Sequence, residues 1–320
     1  MKKKIAWALL DNRTGNRNQV LGILSQLDFE YKIIEIKYNF FSILPNFFFQ
    51  ILSFNFHIKS ISSQLVGAKP NLIISCGRRT ATVSIELKKK LNHNLKCVHL
   101  MYPRFTLFKK KIDMIFTPMH DSVKENKYIK KFLGTPSNII LTKNTSNKYI
   151  EPIIFLIIGG DHGRFKLSEK EVENIILKII LKIKNVGTLL ITTSRRSSKK
   201  VINKVNYIAK KYSAIKEVYH PSNMASKDNI YLKSLSISKE IVVTGDSMSM
   251  ISEACETKKP VRIYYNTKFC SKKHIRFCNK LIKDKYAFPF ETIGKKNTTI
   301  KVLNTSKKIA LCIKKNLNHE

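Results

Sequence analysis

Short apolar runs rich in Ile, Val and Leu alternate with helix-like stretches along most of this 320-residue chain. Runs of this kind are typical of strands buried on both faces of a parallel sheet, with crossover helices between them. In the first part of the chain, helices are expected at Asn18–Leu27 and Ala81–Leu91. The candidate strands there are Lys4–Leu10, Tyr31–Ile36, Asn71–Ser75, Lys96–Leu100, Ile112–Phe116 and Asn138–Leu141.

The alternation breaks in the polar stretch Thr142–Tyr149 and then starts again. The second series predicts strands at Ile153–Ile158, Thr188–Thr192, Glu240–Thr244 and Val261–Tyr264, and helices at Ser168–Ile183 and Lys199–Lys211. We therefore expect an α/β protein with two Rossmann-like domains, residues 1–148 and 149–320, facing each other across a cleft. A ligand is expected at the carboxyl ends of the strands. The last helix, near Ser306–Lys315, could pack back on the first domain.

The chain is strongly basic, with a formal net charge of +37. Its Lys residues are spread along the whole length beside many Ile and Asn, a pattern typical of AT-rich genomes. Neither a zinc-finger spacing nor an RNA-recognition aromatic motif is present, so we expect no specific nucleic-acid partner. Two interpretations stay open: a plain solvated surface, or a surface that also meets anionic lipid headgroups or a phosphorylated substrate.

Six cysteines and the N-terminal sequence bear on localisation. No two cysteines have the C-x-x-C spacing, and their His neighbours fit no zinc pattern. The apolar stretch after Met1 is too short for a signal peptide and soon meets Asp11. The sequence therefore predicts a cytoplasmic protein, with contact at the inner membrane as an additional expectation.

Residues 38–56 carry seven Phe and no charge. Their length approaches that of a membrane span, but Pro45 and several Asn and Gln side chains argue against a spanning helix. A buried helix and an exposed aromatic patch at a membrane interface both remain open.

The most informative segment is Ile241–Tyr264. A β-branched strand ends at Gly245-Asp246-Ser247, and a helix is expected to begin near Ser249. Free backbone N–H groups in such a turn favour an anion such as a diphosphate, and Glu253 could accept hydrogen bonds from a ribose diol. The alternative is that Ser249 and Ser252 only cap the helix.

This segment resembles the donor-site motif of glycosyltransferase-B enzymes, in which a Gly/Ser turn binds pyrophosphate and a Glu on the next helix binds ribose. The whole chain also resembles the mitochondrial-fission Elm family, whose bacterial members are described as glycosyltransferases. Glycine is usual in that family where Lys258 stands. The segments that carry the resemblance, in the family's order, are DNRTGNRNQ (Asp11–Gln19), SCGRRT (Ser75–Thr80), YPRF (Tyr102–Phe105), TPMHD (Thr117–Asp121), IIGG (Ile157–Gly160), TSRRS (Thr193–Ser197) and TGDSMSMISEAC (Thr244–Cys255).

Other candidate ligand-binding residues follow predicted strands. Glycines let a backbone approach a ligand, and Arg offers a fork suited to phosphate oxygens. The candidate donor-binding residues are Gly159, Gly160, Arg164, Ser194, Arg195, Arg196, Gly245, Asp246, Ser247, Met248, Ser249 and Glu253. Those of an acceptor-side or phosphate loop are Gly15, Asn16, Gln19, Gly77, Arg78, Arg79 and Arg104.

An inverting transfer needs a base for the acceptor hydroxyl. His120 paired with Asp121 is one candidate, and Asp11 is its rival; the His120-Asp121 pair could instead cap a helix at Val123–Lys130. The chain has no Asp-x-Asp motif, so we expect no metal and no cofactor, with a UDP-linked sugar as co-substrate.

The resemblance thus implies a metal-independent glycosyltransferase acting on a surface-glycan or lipid-linked acceptor. Two alternatives stay open. One is an inactive, membrane-associated scaffold, because plant members of the family are described as adaptors in mitochondrial fission. The other is a nucleotide-sugar epimerase, because sugar-nucleotide 2-epimerases share the fold.

Overall fold

The computed structural model describes residues 3–44, 57–91, 94–103, 111–141, 148–184, 186–221, 230–296 and 299–318. The chain forms two compact units, Met1–Asn138 with Asn304–Glu320, and Ile139–Leu303. The boundary expected at residue 148 thus lies inside the second unit. The C-terminal residues belong to the first.

The first unit contains a six-stranded parallel sheet in the order β2-β1-β3-β4-β5-β6. The helices of this unit are α1 (Thr14–Leu24), α2 (Arg78–Leu91) and the C-terminal α8 (Thr305–Asn318). Its strands are β1 (Ile5–Leu10), β2 (Glu30–Glu35), β3 (Leu72–Cys76), β4 (Lys96–Leu100), β5 (Met114–Pro118) and β6 (Ile129–Phe132).

Helices cover both faces of this first sheet. Alternate residues of a strand point to opposite faces, and β1 separates accordingly. Ala6, Ala8 and Leu10 pack in a core with residues of α1 and α8. Trp7 and Leu9 pack in a second core with residues of α2. The sheet is buried on both sides, which explains the continuous apolar runs of its strands.

The second unit contains a six-stranded parallel sheet in the order β12-β11-β10-β7-β8-β9. Its helices are α3 (Glu169–Lys182), α4 (Lys199–Lys211), α5 (Ile230–Ile237), α6 (Met248–Ala254) and α7 (Lys272–Lys283). Its strands are β7 (Ile153–Ile157), β8 (Thr188–Thr192), β9 (Ile215–Tyr219), β10 (Glu240–Thr244), β11 (Val261–Tyr264) and β12 (Phe288–Pro289).

Two secondary-structure predictions for residues 123–141 were wrong. Asn138–Leu141 is not a strand, and Val123–Lys130 is not a helix. Instead, Ile129–Phe132 forms the edge strand β6, with Ile129 paired to Ile115 of β5. Pairing with a neighbouring strand outweighed the local helical spacing, which is weak evidence in so short a segment.

Among the described residues, none of the helices combines the length and the apolar character that crossing a bilayer requires. Most of the Phe-rich segment, residues 45–56, lies outside the described residues.

Candidate functional site

Three loops meet at the carboxyl edge of the second sheet. Because β7 pairs with both β8 and β10, the loops after these strands are direct neighbours. The Gly159 N–H donates to Oγ1 of Thr244 at 2.8 Å, and the Gly160 N–H donates to Oδ2 of Asp246 at 2.5 Å. The Gly159-Gly160 backbone, expected to bind the donor, is therefore joined to the loop after β10 through the side chains of Thr244 and Asp246.

Neighbouring protein atoms leave no space for a side chain at either glycine after β7. A Cβ on Gly159 would lie 1.9 Å from Oδ2 of Asp246. A Cβ on Gly160 would lie 2.3 Å from the backbone carbonyl carbon of Arg196. A contact this close forces the neighbouring atoms to move. These glycines thus allow the three loops to pack against one another.

The serines after β8 hold the Arg196 loop in place. The Ser194 hydroxyl accepts a hydrogen bond from the Arg196 N–H at 3.1 Å. The Ser197 hydroxyl accepts from the Ser194 N–H at 2.9 Å and donates to the Gly159 carbonyl at 2.5 Å. The loop is therefore closed internally and tied to the loop after β7.

The Arg196 side chain links all three loops. Its Nη1 donates to the carbonyl of Asp161 at 3.1 Å and lies 3.5 Å from that of Gly160, and its Nη2 lies 3.5 Å from the carbonyl of Asp246. The side chain is still 41% exposed. The guanidinium can therefore face a ligand while its other N–H groups hold the loops together.

The other two predicted donor-side arginines are exposed. Arg195 lies beside Arg196 at the surface. Arg164 stacks its guanidinium over the ring of Phe165, 5.3 Å from the ring centroid. Both present positive charge at the surface near the loops after β7 and β8.

Asp246 places a buried carboxylate where the sequence predicted a phosphate-binding turn. The residue is 1% exposed, and burial raises its pKa, although hydrogen bonds from Thr244 and Gly160 and the nearby Arg196 oppose the rise. Within the described residues its Oδ1 has no hydrogen-bond partner. A carboxylate repels a diphosphate, so the geometry gives Asp246 the task of fixing the Gly159-Gly160 backbone.

Helix α6 begins at Met248, one residue before the predicted start. Ser247 precedes it without a side-chain capping bond, and Ser249 is exposed. The Ser252 hydroxyl donates to the Met248 carbonyl at 2.7 Å. Ser252 therefore bonds within the helix and does not cap its N-terminus.

Glu253 is held by a tyrosine that the sequence analysis did not connect to it. The Tyr231 hydroxyl on α5 donates to Oε2 of Glu253 at 2.6 Å. Burial raises the pKa of Glu253, and the Tyr231 hydrogen bond opposes that rise. Among the described residues Oε1 of Glu253 accepts no hydrogen bond. One carboxylate oxygen is thus oriented by the protein and the other is available to a ligand.

Two histidines that the sequence analysis passed over lie beside Arg196. The rings of His162 and His274 meet edge to face with centroids 5.1 Å apart. Nδ1 of His274 is 2.7 Å from the Ser271 hydroxyl. Burial, followed by the positive charges of His162 and Arg196, lowers the pKa of His274 to about 4. The proximity of His162 to Gly160 in sequence was a usable signal, whereas His274 is brought in by the distant helix α7.

In the first unit, Asp11 is the centre of a hydrogen-bonded group after β1. Its carboxylate accepts from the Arg13 N–H at 3.1 Å, from the Asn16 amide at 3.1 and 3.2 Å, and from the Tyr38 hydroxyl at 3.0 Å. Burial and the Asp11 charge raise the pKa of Tyr38, which therefore stays a donor. Asp11 is 3% exposed, so the structure presents it chiefly as an organiser of this loop.

The predicted acceptor-side residues do not form one cluster. Gly77 adopts φ +93°, and a Cβ there would lie 2.6 Å from the Asn16 amide nitrogen. Gly15, by contrast, has open space around it, and Gln19 is buried in α1.

The predicted arginines of this unit lie at the start of α2. Arg78 is exposed, and Arg79 donates from Nη1 to the Leu44 carbonyl at 2.8 Å. Arg104 lies outside the described residues.

His120 and Asp121 follow β5 and are half-buried. The Asp121 carboxylate accepts from the Thr117 hydroxyl at 3.2 Å, and its N–H donates to the Pro118 carbonyl at 2.9 Å. The alternative role of this pair as a helix cap falls away, because residues 123–128 form no helix.

A comparison with protein families shows which family the chain belongs to. A family model described as mitochondrial fission ELM1 matches residues 14–317, nearly the whole chain. The chain belongs to the mitochondrial fission ELM1 family.

Two relatives show over how much of their lengths this chain is similar to other proteins. The uncharacterized protein RP120 of Rickettsia prowazekii is 28% identical, and the match covers 96% of this chain and 97% of the relative. The mitochondrial fission protein ELM1 of Arabidopsis thaliana is 24% identical, over 61% of this chain and 51% of its own length. This chain therefore spans about half of the plant protein.

Solved structures show the fold of this ELM1-family chain. A Listeria monocytogenes protein described as a UDP-N-acetylglucosamine 2-epimerase aligns with a TM-score of 0.53 at 12% identity, covering 100% of this chain and 98% of its own. An E. coli trehalose-6-phosphate structure with bound UDP-2-fluoro glucose aligns with a TM-score of 0.50 at 9% identity, covering 99% and 97%. The glycosyltransferase-B-like fold expected from the sequence is confirmed.

One departure from the ELM1 pattern has a local consequence. Lys258, where the family usually has glycine, adopts φ +61° in the turn after α6. The turn keeps a left-handed conformation that glycine adopts at no steric cost.

The described residues hold no group of three or more His, Cys, Asp or Glu side chains placed to hold a metal ion.

Proposed function

We propose that this ELM1-family protein transfers a sugar from a nucleotide-diphosphate donor, UDP-linked, to a glycan or lipid-linked acceptor without a metal ion. The observation that carries the proposal is the second unit's carboxyl edge, where Arg196 and Glu253 are each held in place yet keep part of their binding capacity. The fold likeness to a structure with bound UDP-2-fluoro glucose supports the same ligand class.

In this proposal Arg196 binds the donor diphosphate, with Arg195, Arg164 and the Ser247–Ser249 turn as further partners. A departing nucleoside diphosphate carries negative charge, and a fixed guanidinium stabilises it without reorganising. Oε1 of Glu253 accepts hydrogen bonds from the ribose hydroxyls, while Tyr231 keeps the carboxylate oriented.

For the acceptor base, the hydrogen bonds of the first unit favour His120 over Asp11. The Asp11 carboxylate already accepts bonds from Arg13, Asn16 and Tyr38, so a proton taken from an acceptor would displace one of them. His120, assisted by Asp121, is our proposed base. We propose that the reaction takes place in the cytoplasm.

The test is a thermal-shift screen of the purified protein against UDP, GDP, ADP, CMP and their sugars. We expect stabilisation by UDP and a UDP-sugar, reduced in Glu253→Gln and retained in Glu291→Gln, which changes an exposed carboxylate. If no nucleotide stabilises the protein, or if Glu253→Gln responds like the wild type, the proposal is overturned.

A second candidate, a nucleotide-sugar epimerase, is favoured by the full-length likeness to the Listeria monocytogenes protein. An epimerase converts its nucleotide sugar without any acceptor. Proton NMR of UDP-N-acetylglucosamine incubated with the protein alone tests the epimerase: a new C2 epimer supports it, and an unchanged sugar argues against it. The scaffold alternative, suggested by the plant relative's name, predicts no nucleotide response at all.

A further inference from the structure

A short turn after β2 exposes three large apolar side chains. Phe40 is 79% exposed, Phe41 50% and Ile43 74%. We call these three residues the aromatic turn. Most Phe, Ile and Leu side chains elsewhere in the described residues are buried, and neighbouring exposed apolar side chains mark interaction surfaces.

Polar contacts hold the backbone of the aromatic turn. The Asn39 side-chain oxygen accepts from the Phe41 N–H at 3.0 Å, and the Leu44 N–H donates to the Phe41 carbonyl at 3.1 Å. Arg79 binds the Leu44 carbonyl at 2.8 Å. Polar contacts thus satisfy backbone groups of the turn, while its apolar side chains are exposed to solvent.

Three arginines lie beside the turn. Arg13 and Arg78 are exposed and Arg79 is half-buried. Arg79 donates to the Leu44 carbonyl. The Arg13 N–H donates to the Asp11 carboxylate, which also accepts from Tyr38, two residues before Phe40. We call Arg13, Arg78 and Arg79 the arginine cluster. Burial and the positive charges of Arg78 and Arg13 lower the pKa of Arg79, as expected where like charges crowd together.

An exposed apolar turn beside crowded guanidinium groups matches one kind of partner. Aromatic side chains enter the boundary between headgroups and acyl chains, and arginines at that depth meet lipid phosphates. An anionic bilayer therefore satisfies both features at once, and the overall charge of +37 attracts the protein to it.

We propose that the aromatic turn and the arginine cluster form a docking surface for an anionic phospholipid bilayer. This deepens the proposed function, because a lipid-linked acceptor would then be met at the membrane by the first unit. Lipid binding does not need a nucleotide, so its failure would leave the donor-binding proposal intact.

The test is co-sedimentation of the full chain with phosphatidylcholine vesicles, with and without phosphatidylglycerol, in the absence of nucleotide. We expect binding to the vesicles that contain phosphatidylglycerol. The double variant Phe40→Ser/Phe41→Ser should lose about tenfold in affinity or more, because exposed rings no longer enter the bilayer. The double variant Arg13→Gln/Arg78→Gln should lose the preference for phosphatidylglycerol.

The matched controls are Leu311→Ser and Lys307→Gln, which change an exposed apolar and an exposed basic residue of α8 in the same unit. Both should bind as the wild type does. A wild-type protein that ignores phosphatidylglycerol vesicles would overturn the proposal. So would a Phe variant that binds normally, because attraction would then come from the dispersed lysines. Circular dichroism verifies that each variant is folded.

Discussion

The Gly160 N–H donates a hydrogen bond to Oδ2 of Asp246 at 2.5 Å, although the two residues follow different strands and lie far apart in sequence. Thr244 makes the corresponding contact with the Gly159 N–H. These two bonds align the loops after β7 and β10, and Arg196 extends the connection to the loop after β8. Hydrogen bonds therefore join the three loops at the carboxyl edge of the second sheet.

Replacing Gly159 with alanine should disrupt the packing of the loop after β7 against the loop after β10. The new Cβ would stand 1.9 Å from Oδ2 of Asp246, which is buried and cannot withdraw. We expect Gly159→Ala to lower the free energy of unfolding by about 2 kcal/mol or more, measured by chemical denaturation. The control is Gly15→Ala, which has open space and lies in α1, so it should be neutral or stabilising. Equal effects of the two substitutions would contradict this account.

Removing the Tyr231 hydroxyl should weaken nucleotide binding. In Tyr231→Phe, Oε2 of Glu253 loses its hydrogen bond while the ring keeps its edge-to-face contact with Phe155. We expect nucleotide affinity to fall by about threefold to tenfold, because the carboxylate is no longer oriented. Isothermal calorimetry measures the effect, with Tyr207→Phe as an exposed control. Unchanged affinity would show that Tyr231 does not position Glu253 for a ligand.

Arg196 and Arg195 should respond differently to replacement by lysine. Lysine cannot reach the carbonyls of Gly160, Asp161 and Asp246 together, because it lacks the planar fork of arginine. Arg196→Lys should therefore lower both the melting temperature and the stabilisation by nucleotide. Arg195→Lys should leave the melting temperature unchanged. The Arg196 result would be contradicted by a variant that melts like the wild type.

Buried histidines should make the protein less stable in mild acid. Burial lowers the pKa of His99 to about 3 and that of His274 to about 4, against 6.5 for an exposed histidine. Between pH 6.5 and 4 the unfolded chain binds protons at these two histidines that the folded chain does not, so stability falls as the pH falls. Above about pH 7 both states hold these histidines neutral, and their contribution to stability is constant.

Each histidine should lower the free energy of unfolding by an amount that approaches about 1 kcal/mol per pH unit. Denaturation at a series of pH values measures the slope. His274→Gln should make the slope shallower, and an unchanged slope would show that His274 does not contribute to it.

Lys258→Gly should stabilise the protein. Lys258 adopts φ +61°, a left-handed conformation that costs a residue with a Cβ about 1 to 2 kcal/mol. We expect a gain of roughly half to one kcal/mol, because the greater entropy of glycine in the unfolded chain offsets part of the relief. Lys239→Gly, just before β10 and without a positive φ, should destabilise instead.

Local patterns in the amino-acid sequence were enough to predict the class of fold and most of the elements. The buried runs that became β7, β8 and β10 were evident because strands covered on both faces carry uninterrupted apolar residues. The ordered motifs from Asp11 to Cys255 indicated the family. The sequence also brought Gly159, Arg196 and Asp246 into one candidate set, because all three follow strands of the same predicted sheet.

The contacts that those residues make depend on long-range packing. The sequence cannot reveal that Asp246 bonds Gly160, that Tyr231 orients Glu253, or that His274 reaches His162, because each pair joins separate elements. Strand β6 was missed for the same reason, since it forms through pairing with β5 and not through a local preference. Periodicity records which face of an element is buried, whereas long-range packing fixes which side chains meet there.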